Sequence, residues 1–346
     1  MGELLADHTT LRLGGPADRF LTHTDPAAWP DLARALRDDD SAFFVLGGGS
    51  NTRAADLGYP GTVLRMATRG ITARPLGDGL IEVVAQAGEP LASLVAFSVA
   101  EGLSGIEYLG GIPGTCGAAP VQNTGAYGQQ MSDTLVRITV HDRLRGHTVE
   151  LSPEDCGFSY RTSIFKACPG RWTILAITLR LIRSVWAAPV LYQHLATALD
   201  VTPGARPPLA EAAHAVIADR SNRGLALPAS GPDARQAGSV FLNPVVDRAQ
   251  ATAVRAAGGP VRRDQAGQLW ASAGWLVEQA GHRPGSRVGL GVYCSTVRSL
   301  TLTVRHGATS HAFSEALRML ADEIHGTYGI QLRPEPVVPM SGRAKR

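Results

Sequence analysis

The sequence predicts an α+β fold organised in more than one domain. Three observations predict it. Strand-like and helix-like hydrophobic patterns occur in both halves of the chain, two glycine clusters interrupt the first half, and a proline-rich stretch from Pro203 to Pro208 follows as a candidate linker. The 346 residues are enough for two or three domains, each with a hydrophobic core of its own.

The first sixty residues predict a strand, a helix and a strand. Leu32 and Leu36 stand at helical spacing within Asp31 to Arg37. The apolar run Phe43 to Leu46 then predicts a short buried strand that leads into a tight glycine turn.

The later elements follow from the same periodicities. A helix from Leu91 to Ala100 is expected to stop at Gly102, since glycine favours helix ends. The other expected elements are strands at Ile81 to Ala87, Val136 to His141, Trp172 to Ile182 and Val292 to Val304, and helices at Leu209 to Arg223 and Ser314 to Tyr328.

Composition excludes several classes of protein. The net charge is only +3, aromatic residues are 6%, and the one basic block is the terminal Gly342 to Arg346, so we expect no nucleic-acid partner. The first twenty residues hold no apolar run of signal-peptide or membrane-span length. We therefore expect a cytoplasmic protein with no membrane partner.

The cysteines predict neither a metal site nor disulfides. They are scattered and lack histidine partners at zinc spacing: Cys116, Cys156, Cys168 and Cys294. Reduced thiols fit the expected cytoplasmic location.

The first glycine cluster, Gly47 to Gly49, is followed by Ser50 and Asn51. Glycines after a strand allow backbone N–H groups to turn inward around an anion, and the two polar side chains add donors. A simple tight turn is the alternative. The Rossmann and P-loop patterns are both absent.

The second cluster runs from Gly110 to Gly128 with almost no charge. This composition suits a backbone wrapped closely over a flat or extended ligand, with Gln122 and Asn123 as polar contacts. A structural crossover loop is the alternative. Together, the two clusters suggest a dinucleotide cofactor bound in a non-Rossmann manner.

Four motifs in this order resemble one known family. They are Thr10-x-Arg12-x-Gly14-Gly15, then Gly47 to Asn51, then Gly111-Ile112-Pro113-Gly114, then Gln122-Asn123-x-Gly125-Ala126-Tyr127-Gly128. This set resembles the flavin domain of UDP-N-acetylenolpyruvoylglucosamine reductases, a family among the flavoproteins of the vanillyl-alcohol oxidase and p-cresol methylhydroxylase type.

The resemblance implies a domain plan and a set of FAD contacts. The FAD-binding domain would comprise subdomains 1–66, joined by the tail 331–346, and 67–184, and a separate α+β substrate-binding domain would span 185–330. The implied FAD contacts are Arg12, Gly47, Gly48, Gly49, Ser50, Asn51, Gly111, Ile112, Pro113, Gly114, Gly117, Gln122, Asn123, Gly125, Ala126, Tyr127 and Gly128.

Arg161 stands in a segment, CGFSYRTSIFK, that matches the family. The resemblance implies that it faces the substrate, and a cation there suits the negative charge that develops when an enolpyruvyl ether is reduced. Read alone, Arg161 could equally be a surface ion-pair residue. Tyr160 beside it would contact the substrate.

Ser239 lies in Ala237 to Pro244, which matches the family segment Ala-Gly-Ser-x-Phe-x-Asn-Pro. The resemblance makes Ser239 the proton donor and makes Asn243 a contact of the nucleotide. A serine is a credible acid only where the alkoxide it leaves is stabilised. A helix cap or a turn residue is the alternative reading of an isolated serine.

Glu335, between two prolines, matches the family's C-terminal glutamate and would work with Arg161. Tyr192 resembles the substrate-loop tyrosine of the longer variety of these enzymes. Arg223 stands where the family usually has a lysine for the diphosphate, and Val297 and Arg298 replace a lysine and a histidine of many relatives.

The reading that results is an FAD enzyme, reduced by NADPH, that acts on a UDP-sugar and is a monomer. Three alternatives remain: a paralogue acting on another sugar nucleotide or a specialised metabolite, an oxidase of the same flavin superfamily, and a regulatory nucleotide-binding protein. Retention of Arg161, Ser239 and Glu335 together argues against the last two.

Overall fold

A computed structural model describes residues 2–37, 41–264 and 266–339. The predicted basic end Gly342 to Arg346 and the last part of the predicted tail 331–346 lie outside the described residues. The α+β prediction is confirmed, because helices and mainly antiparallel sheets alternate along the chain.

The first unit is a small parallel sheet with one helix. The predicted strand–helix–strand order is confirmed, and the helix begins two residues earlier than expected. The three strands stand in the order β1-β3-β2, and the elements are β1 (Ala17–His23), α1 (Trp29–Arg37), β2 (Ala42–Leu46) and β3 (Tyr59–Met66). The first glycine cluster leaves the end of β2.

The second unit is a larger antiparallel sheet. Its elements are β4 (Ile71–Gly77), β5 (Leu80–Gln86), α2 (Leu91–Ala100), β6 (Leu103–Ser104), β7 (Gly125–Ala126), β8 (Gln129–Gln130), β9 (Leu135–Asp142), β10 (His147–Leu151), α3 (Ile164–Ala167) and β11 (Trp172–Arg183). The sheet order is β10-β9-β11-β5-β4, with β6 added on β11. Its core packs α1 and α2 against the sheet, so the first two units share one hydrophobic cluster. The second glycine cluster lies between β6 and β9.

Two helices follow, α4 (Gln193–Ala198) and α5 (Leu209–Asn222). They pack on Tyr108 and Tyr127 from the glycine-rich connection. The proline-rich stretch joins these two helices, and backbone bonds between 187 and 207 and between 190 and 204–205 fasten it. The prediction that this stretch is a domain linker is therefore wrong.

The last unit holds two antiparallel sheets, ordered β12-β18-β17-β16 and β13-β15-β14, under three helices. Its elements are β12 (Gln236–Ser239), β13 (Val245–Val246), α6 (Arg248–Ala256), β14 (Val261–Arg263), β15 (Leu269–Ala271), α7 (Ala273–Gln279), β16 (Arg287–Gly289), β17 (Val292–Cys294), β18 (Thr301–Val304) and α8 (Ser310–Tyr328). Leu11 and Leu13, from the chain's beginning, belong to its core. The predicted domain boundaries stay a prediction.

Two predicted elements of this unit differ from those observed. The expected strand Val292 to Val304 is interrupted, because the Asp233 carboxylate accepts hydrogen bonds from Ser295 Oγ at 2.8 Å and from the Thr296 amide at 3.0 Å, which turns the chain. Helix α8 begins one turn early at Ser310, whose amide donates to the Asp56 carboxylate at 2.7 Å. This bond, together with the Thr309 hydroxyl that accepts from the Ala312 amide at 3.0 Å, caps the helix N-terminus.

The C-terminal tail joins the first and last units. On one side the Val337 amide donates to the Asn51 carbonyl, and its carbonyl accepts from Arg53. On the other side the tail pairs with the segment that follows β12, through the bridge between Phe241 and Pro334. In the described part of the chain, no helix is long and apolar enough to cross a bilayer.

Candidate active site

A cavity of about 750 Å³ opens between the two glycine clusters and the C-terminal unit. This size is typical of a site for a cofactor-sized ligand. Sixteen of the predicted site residues are on its wall: Gly47, Gly48, Gly49, Ser50, Asn51, Ile112, Pro113, Gly114, Gln122, Gly125, Tyr160, Arg161, Arg223, Ser239, Asn243 and Glu335.

The loop after β2 offers backbone donors to the cavity. Within the described residues, we find no acceptor for the amides of Gly49, Ser50 and Asn51. Gly49 has φ +64°, and a Cβ there would lie 2.0 Å from the His8 carbonyl oxygen. Only glycine fits this position, and the resulting turn leaves the amides for an anion.

The second glycine cluster forms the opposite wall. A Cβ on Gly48 would lie 3.1 Å from the Cα of Gly114, so the two loops touch backbone to backbone. Ser50 Oγ donates to the Pro113 carbonyl at 3.2 Å and fastens them together. Because the loops approach so closely, the space between them is narrow and suits an extended ligand.

Arg161, Glu335, Gln122 and Asn51 form one polar network. Arg161 Nε lies 3.5 Å from Glu335 Oε1, and Gln122 Nε2 donates to the same oxygen at 3.3 Å. Asn51 Nδ2 donates to Gln122 Oε1 at 3.0 Å. Asn51 and Gln122, predicted as cofactor contacts, therefore also hold the predicted catalytic carboxylate.

The Arg161 backbone has φ +53°, which is uncommon for a residue with a side chain. Lys166 Nζ donates to the Arg161 carbonyl at 3.1 Å, and Arg161 Nη2 donates to the Gly125 carbonyl at 3.3 Å. The bond to Gly125 holds the guanidinium against the second glycine cluster. The bond from Lys166 stabilises the uncommon backbone conformation of Arg161, a residue that lines the cavity.

Glu335 has only 12% of its side chain exposed. Burial raises its pKa, while the charges of Arg161, Lys166 and Arg298 and the bond from Gln122 act in the opposite direction. A carboxyl with a raised pKa next to cations can change its protonation with ligand occupancy.

Ser239 ends β12 and faces the same cavity. Its Oγ accepts a hydrogen bond from Arg298 Nη1 at 2.9 Å. Arg298 also donates to Thr301 Oγ1 at 3.3 Å. The hydroxyl of the predicted proton donor thus has a guanidinium as its direct partner.

Comparison with known proteins shows which family this chain resembles. Residues 17–152 match the family model described as FAD binding domain, and residues 231–339 match the model described as UDP-N-acetylenolpyruvoylglucosamine reductase, C-terminal domain. The chain is 42% identical to the protein of that name from Salinispora arenicola, over 96% of this chain and 94% of that protein. The corresponding Saccharopolyspora erythraea protein is 40% identical over 97% and 94%.

The chain belongs to the UDP-N-acetylenolpyruvoylglucosamine reductase family. A crystal structure of the UDP-N-acetylenolpyruvylglucosamine reductase from Thermus caldophilus superimposes with a TM-score of 0.64, at 26% identity and over 97% of each chain. The predicted family, the FAD-type fold and an FAD-dependent oxidoreductase are confirmed.

The site fits the FAD that the family uses. The amides of Gly49, Ser50 and Asn51, which have no acceptor among the residues the structure describes, suit a diphosphate, and the apposed glycine clusters leave a space that side chains would fill. Gly47 belongs to this space, because a Cβ there would lie 2.7 Å from Thr115 Oγ1.

A cluster beside the cavity positions Arg223. Its Nη1 lies 3.2 Å from Asp219 Oδ2 and 2.8 Å from His194 Nε2. Tyr127 donates its hydroxyl to the same Asp219 oxygen at 2.6 Å. Burial, followed by the Arg223 charge, lowers the pKa of His194, so that ring accepts as a neutral group. Tyr192 packs edge-on against Tyr127, with ring centroids 6.0 Å apart.

Eight predicted site residues do not line this cavity: Arg12, Gly111, Gly117, Asn123, Ala126, Tyr127, Gly128 and Tyr192. Arg12 lines a smaller neighbouring cavity that shares Thr10 and Gly48 with the first. Gly117 packs on Ala87, where a Cβ would lie 2.6 Å from the alanine Cβ.

The side chain of Asn123 is also committed elsewhere, because it bonds Gln130 and the amide of Ser132. For Gly117 and Asn123, the geometry favours a structural role over the predicted cofactor contact. Among residues 2–37, 41–264 and 266–339, no three His, Cys, Asp or Glu side chains are grouped closely enough to hold a metal ion.

Two residues at the site, Arg220 and Lys166, were not predicted, and neither was the hydrogen bond between Arg298 and Ser239. Arg220 lies on the buried face of α5, with Nη2 donating to the Leu225 carbonyl at 2.7 Å and with no partner for Nε in the part of the chain described. Arg298 was visible in the sequence only as a departure from relatives. A basic residue in the otherwise uncharged segment Ser295 to Leu300 was the available signal.

Proposed function

We propose that this chain reduces the enolpyruvyl ether of UDP-N-acetylenolpyruvoylglucosamine to the lactyl ether of UDP-N-acetylmuramate, a peptidoglycan precursor. Family membership supports the reaction class. The observation that carries the proposal is that Arg161, Glu335 and Ser239 line the same cavity as the amide-rich loop after β2.

When bound, FAD reduced by NADPH would supply the hydride for the vinyl carbon of this substrate. Arg161 and Glu335 face the carboxylate end of the enolpyruvyl group, where negative charge accumulates as the double bond is reduced. A fixed cation at that point stabilises the charged intermediate because it needs no reorganisation during the reaction.

Ser239 donates the proton that completes the product at the α-carbon. It lies in the same cavity as the Arg161–Glu335 pair, held through the tail pairing between Phe241 and Pro334. Proton donation by a positioned side chain contributes on the order of 10²- to 10⁴-fold to a rate.

Arg223, Tyr192, Asn243 and Tyr160 bind the UDP-sugar. Arg223 is half-exposed at the cavity edge and presents a planar cation suited to a diphosphate. Asn243 is partly committed, since its Oδ1 accepts from the Ala273 amide at 3.0 Å, so its amide nitrogen is the group offered to the ligand. A cytoplasmic location and a monomeric state stay predictions.

The test follows the flavin spectrum anaerobically. The protein is reduced with one equivalent of NADPH and then mixed with UDP-N-acetylenolpyruvoylglucosamine. We expect prompt reoxidation of the flavin, slowed by about 10²- to 10⁴-fold in Ser239→Ala. Ser314→Ala is the matched control, because that hydroxyl donates within α8 and is not on the cavity wall.

Two results would contradict the proposal. A purified protein without FAD would refute it entirely. A flavin that NADPH reduces but this substrate does not reoxidise would favour the second candidate, a reductase of another sugar nucleotide, which Arg223 and Arg298 motivate as departures from relatives.

A further inference from the structure

Arg298 reaches the active site on the loop between β17 and β18. The Asp233 carboxylate fixes the start of this loop through Ser295 and Thr296, with Thr296 Oγ1 donating at 2.7 Å. The guanidinium then lies against Ser239 at 2.9 Å. Asp233 therefore fixes the backbone two residues before Arg298, at the start of the loop that carries the guanidinium to Ser239.

We propose that Arg298 positions Ser239 for proton donation and stabilises the alkoxide that the donation leaves. This inference rests on the proposed function, in which Ser239 is the proton donor. It assigns a role to a residue that differs from the histidine of many relatives.

The direction of the hydrogen bond carries the first half of the proposal. An arginine has donors and no acceptor, so Arg298 donates and Ser239 Oγ accepts. The serine hydrogen is then free to point away from Arg298, toward the cavity. A neutral partner that could accept would compete for this hydrogen.

The positive charge of Arg298 supports the second half of the proposal, the stabilisation of the alkoxide. When Ser239 protonates the α-carbon, its O–H bond breaks, a C–H bond forms, and the electron pair remains on Oγ as an alkoxide that later takes a proton from water. A cation within 3 Å favours that anion. Burial, then Arg223, lower the pKa of Arg298 to about 10, so the guanidinium is still charged at neutral pH.

The surrounding charges fit this role. Arg220 and Arg223 repel Arg298, whereas the Glu335 carboxylate attracts it. A buried cation among cations is costly unless an anion compensates it. An alkoxide on Ser239 supplies that compensation only during the reaction, which is when stabilisation accelerates the step.

The experiment is a double-mutant cycle on the flavin reoxidation step, measured anaerobically at saturating UDP-N-acetylenolpyruvoylglucosamine. The variants are Arg298→Gln, Arg298→Lys, Ser239→Ala and the double variant Ser239→Ala/Arg298→Gln. Arg305→Gln is the control, because this arginine of the same unit stacks on Tyr293 and is not on the cavity wall. FAD content and thermal unfolding verify that each variant is folded.

We expect Arg298→Gln to slow the step about 100-fold at unchanged KM, and Arg298→Lys to recover about tenfold of that loss. The double variant should be no slower than Ser239→Ala alone, since Arg298 acts through the serine. Arg305→Gln should match the wild type.

Additive losses in the double variant, or a wild-type rate in Arg298→Gln, would overturn the inference. A raised KM at an unchanged rate would overturn it too, because Arg298 would then bind the substrate rather than act on Ser239. If the glutamine variant does not fold, the test uses Arg298→Lys, which keeps the positive charge. A reoxidation rate of Arg298→Lys as low as that of Ser239→Ala would then reject the role of the charge. Failure of the wild type to react with this substrate would instead reject the proposed function.

Discussion

The Glu335 amide donates to the Val240 carbonyl at 2.9 Å, one residue beyond Ser239. This single backbone bond brings Glu335 next to the segment that carries Ser239, the proposed proton donor, although the two residues lie far apart in the sequence. The other edge of the same tail is bonded to Asn51 through Val337. The tail therefore connects the loop after β2 to the segment that carries Ser239.

The tail pairing predicts the effect of Val337→Pro. Proline removes the amide that donates to the Asn51 carbonyl at 2.8 Å, so we expect the free energy of unfolding to fall by about 1–3 kcal/mol and FAD to dissociate more readily. Urea unfolding and FAD retention on gel filtration measure this. Val338→Pro is the control, since within the described residues its amide has no partner. Equal losses in both variants would contradict the role of the pairing.

The glycine loop predicts a selective loss of FAD. Gly49→Ala places a Cβ 2.0 Å from the His8 carbonyl, which forces the loop to shift. We expect FAD affinity to fall by at least about tenfold, as measured by reconstitution of the apoprotein. Gly79→Ala tests the backbone strain alone, because Gly79 has φ +73° and no atom of the described residues lies within 4 Å of the added Cβ. A retained FAD affinity in Gly49→Ala would refute the assignment of this loop.

Tyr127 was predicted as a cofactor contact, yet its hydroxyl bonds Asp219, the partner of Arg223. We therefore expect Tyr127→Phe to raise the KM for the UDP-sugar about threefold to tenfold, because a bond to a charged group is worth about 1.5–3 kcal/mol, part of which relaxation recovers. The flavin spectrum and FAD affinity should not change. Tyr293→Phe, off the cavity wall, is the control. A lowered FAD affinity with an unchanged KM would restore the original prediction.

Two histidines predict a pH dependence of stability. His23 and His141 lie edge-on to the Trp29 ring, each with centroids 5.3 Å apart, where the first two units meet. Burial lowers the pKa of both rings below the ordinary histidine value of 6.5. The unfolded chain then binds more protons than the folded chain below pH 6.5, so this stabilisation is complete above pH 6.5 and is lost as the pH falls toward the folded pKa values.

The measurement is urea unfolding between pH 7.5 and 5.5. Replacing either histidine with glutamine should reduce the slope of unfolding free energy against pH by up to about 1.4 kcal/mol per pH unit. His282→Gln, in the C-terminal unit and paired with Glu323 at 2.7 Å, is the control. An unchanged slope in both His23→Gln and His141→Gln would show that the two rings do not titrate differently on unfolding.

Several features were readable because they are local. Gly49 has a positive φ and contacts the His8 backbone, and only glycine does both without strain. The loop after β2 could therefore be predicted from a few consecutive residues. The helices α2 and α5 were predicted to within one residue, because their hydrophobic patterns and ends are local too.

Other features required the fold. The expected strand Val292 to Val304 was wrong because Asp233, some sixty residues earlier, turns the chain at Ser295. The proline-rich stretch from Pro203 to Pro208 was wrong as a linker because its backbone bonds back to the segment around Ala187. Neither partner is visible in a local window of sequence.

By itself, the sequence determined the family and predicted the FAD loop and the three chemical groups Arg161, Ser239 and Glu335, because each of these lies in a short motif whose backbone requirements are local. Only the tertiary structure decided which residues hydrogen-bond to these three groups. Arg298 meets Ser239 across 59 residues and Gln122 meets Glu335 across 213. Those contacts depend on how separate units pack, and the free energy that selects a packing arises from the whole core rather than from any one segment.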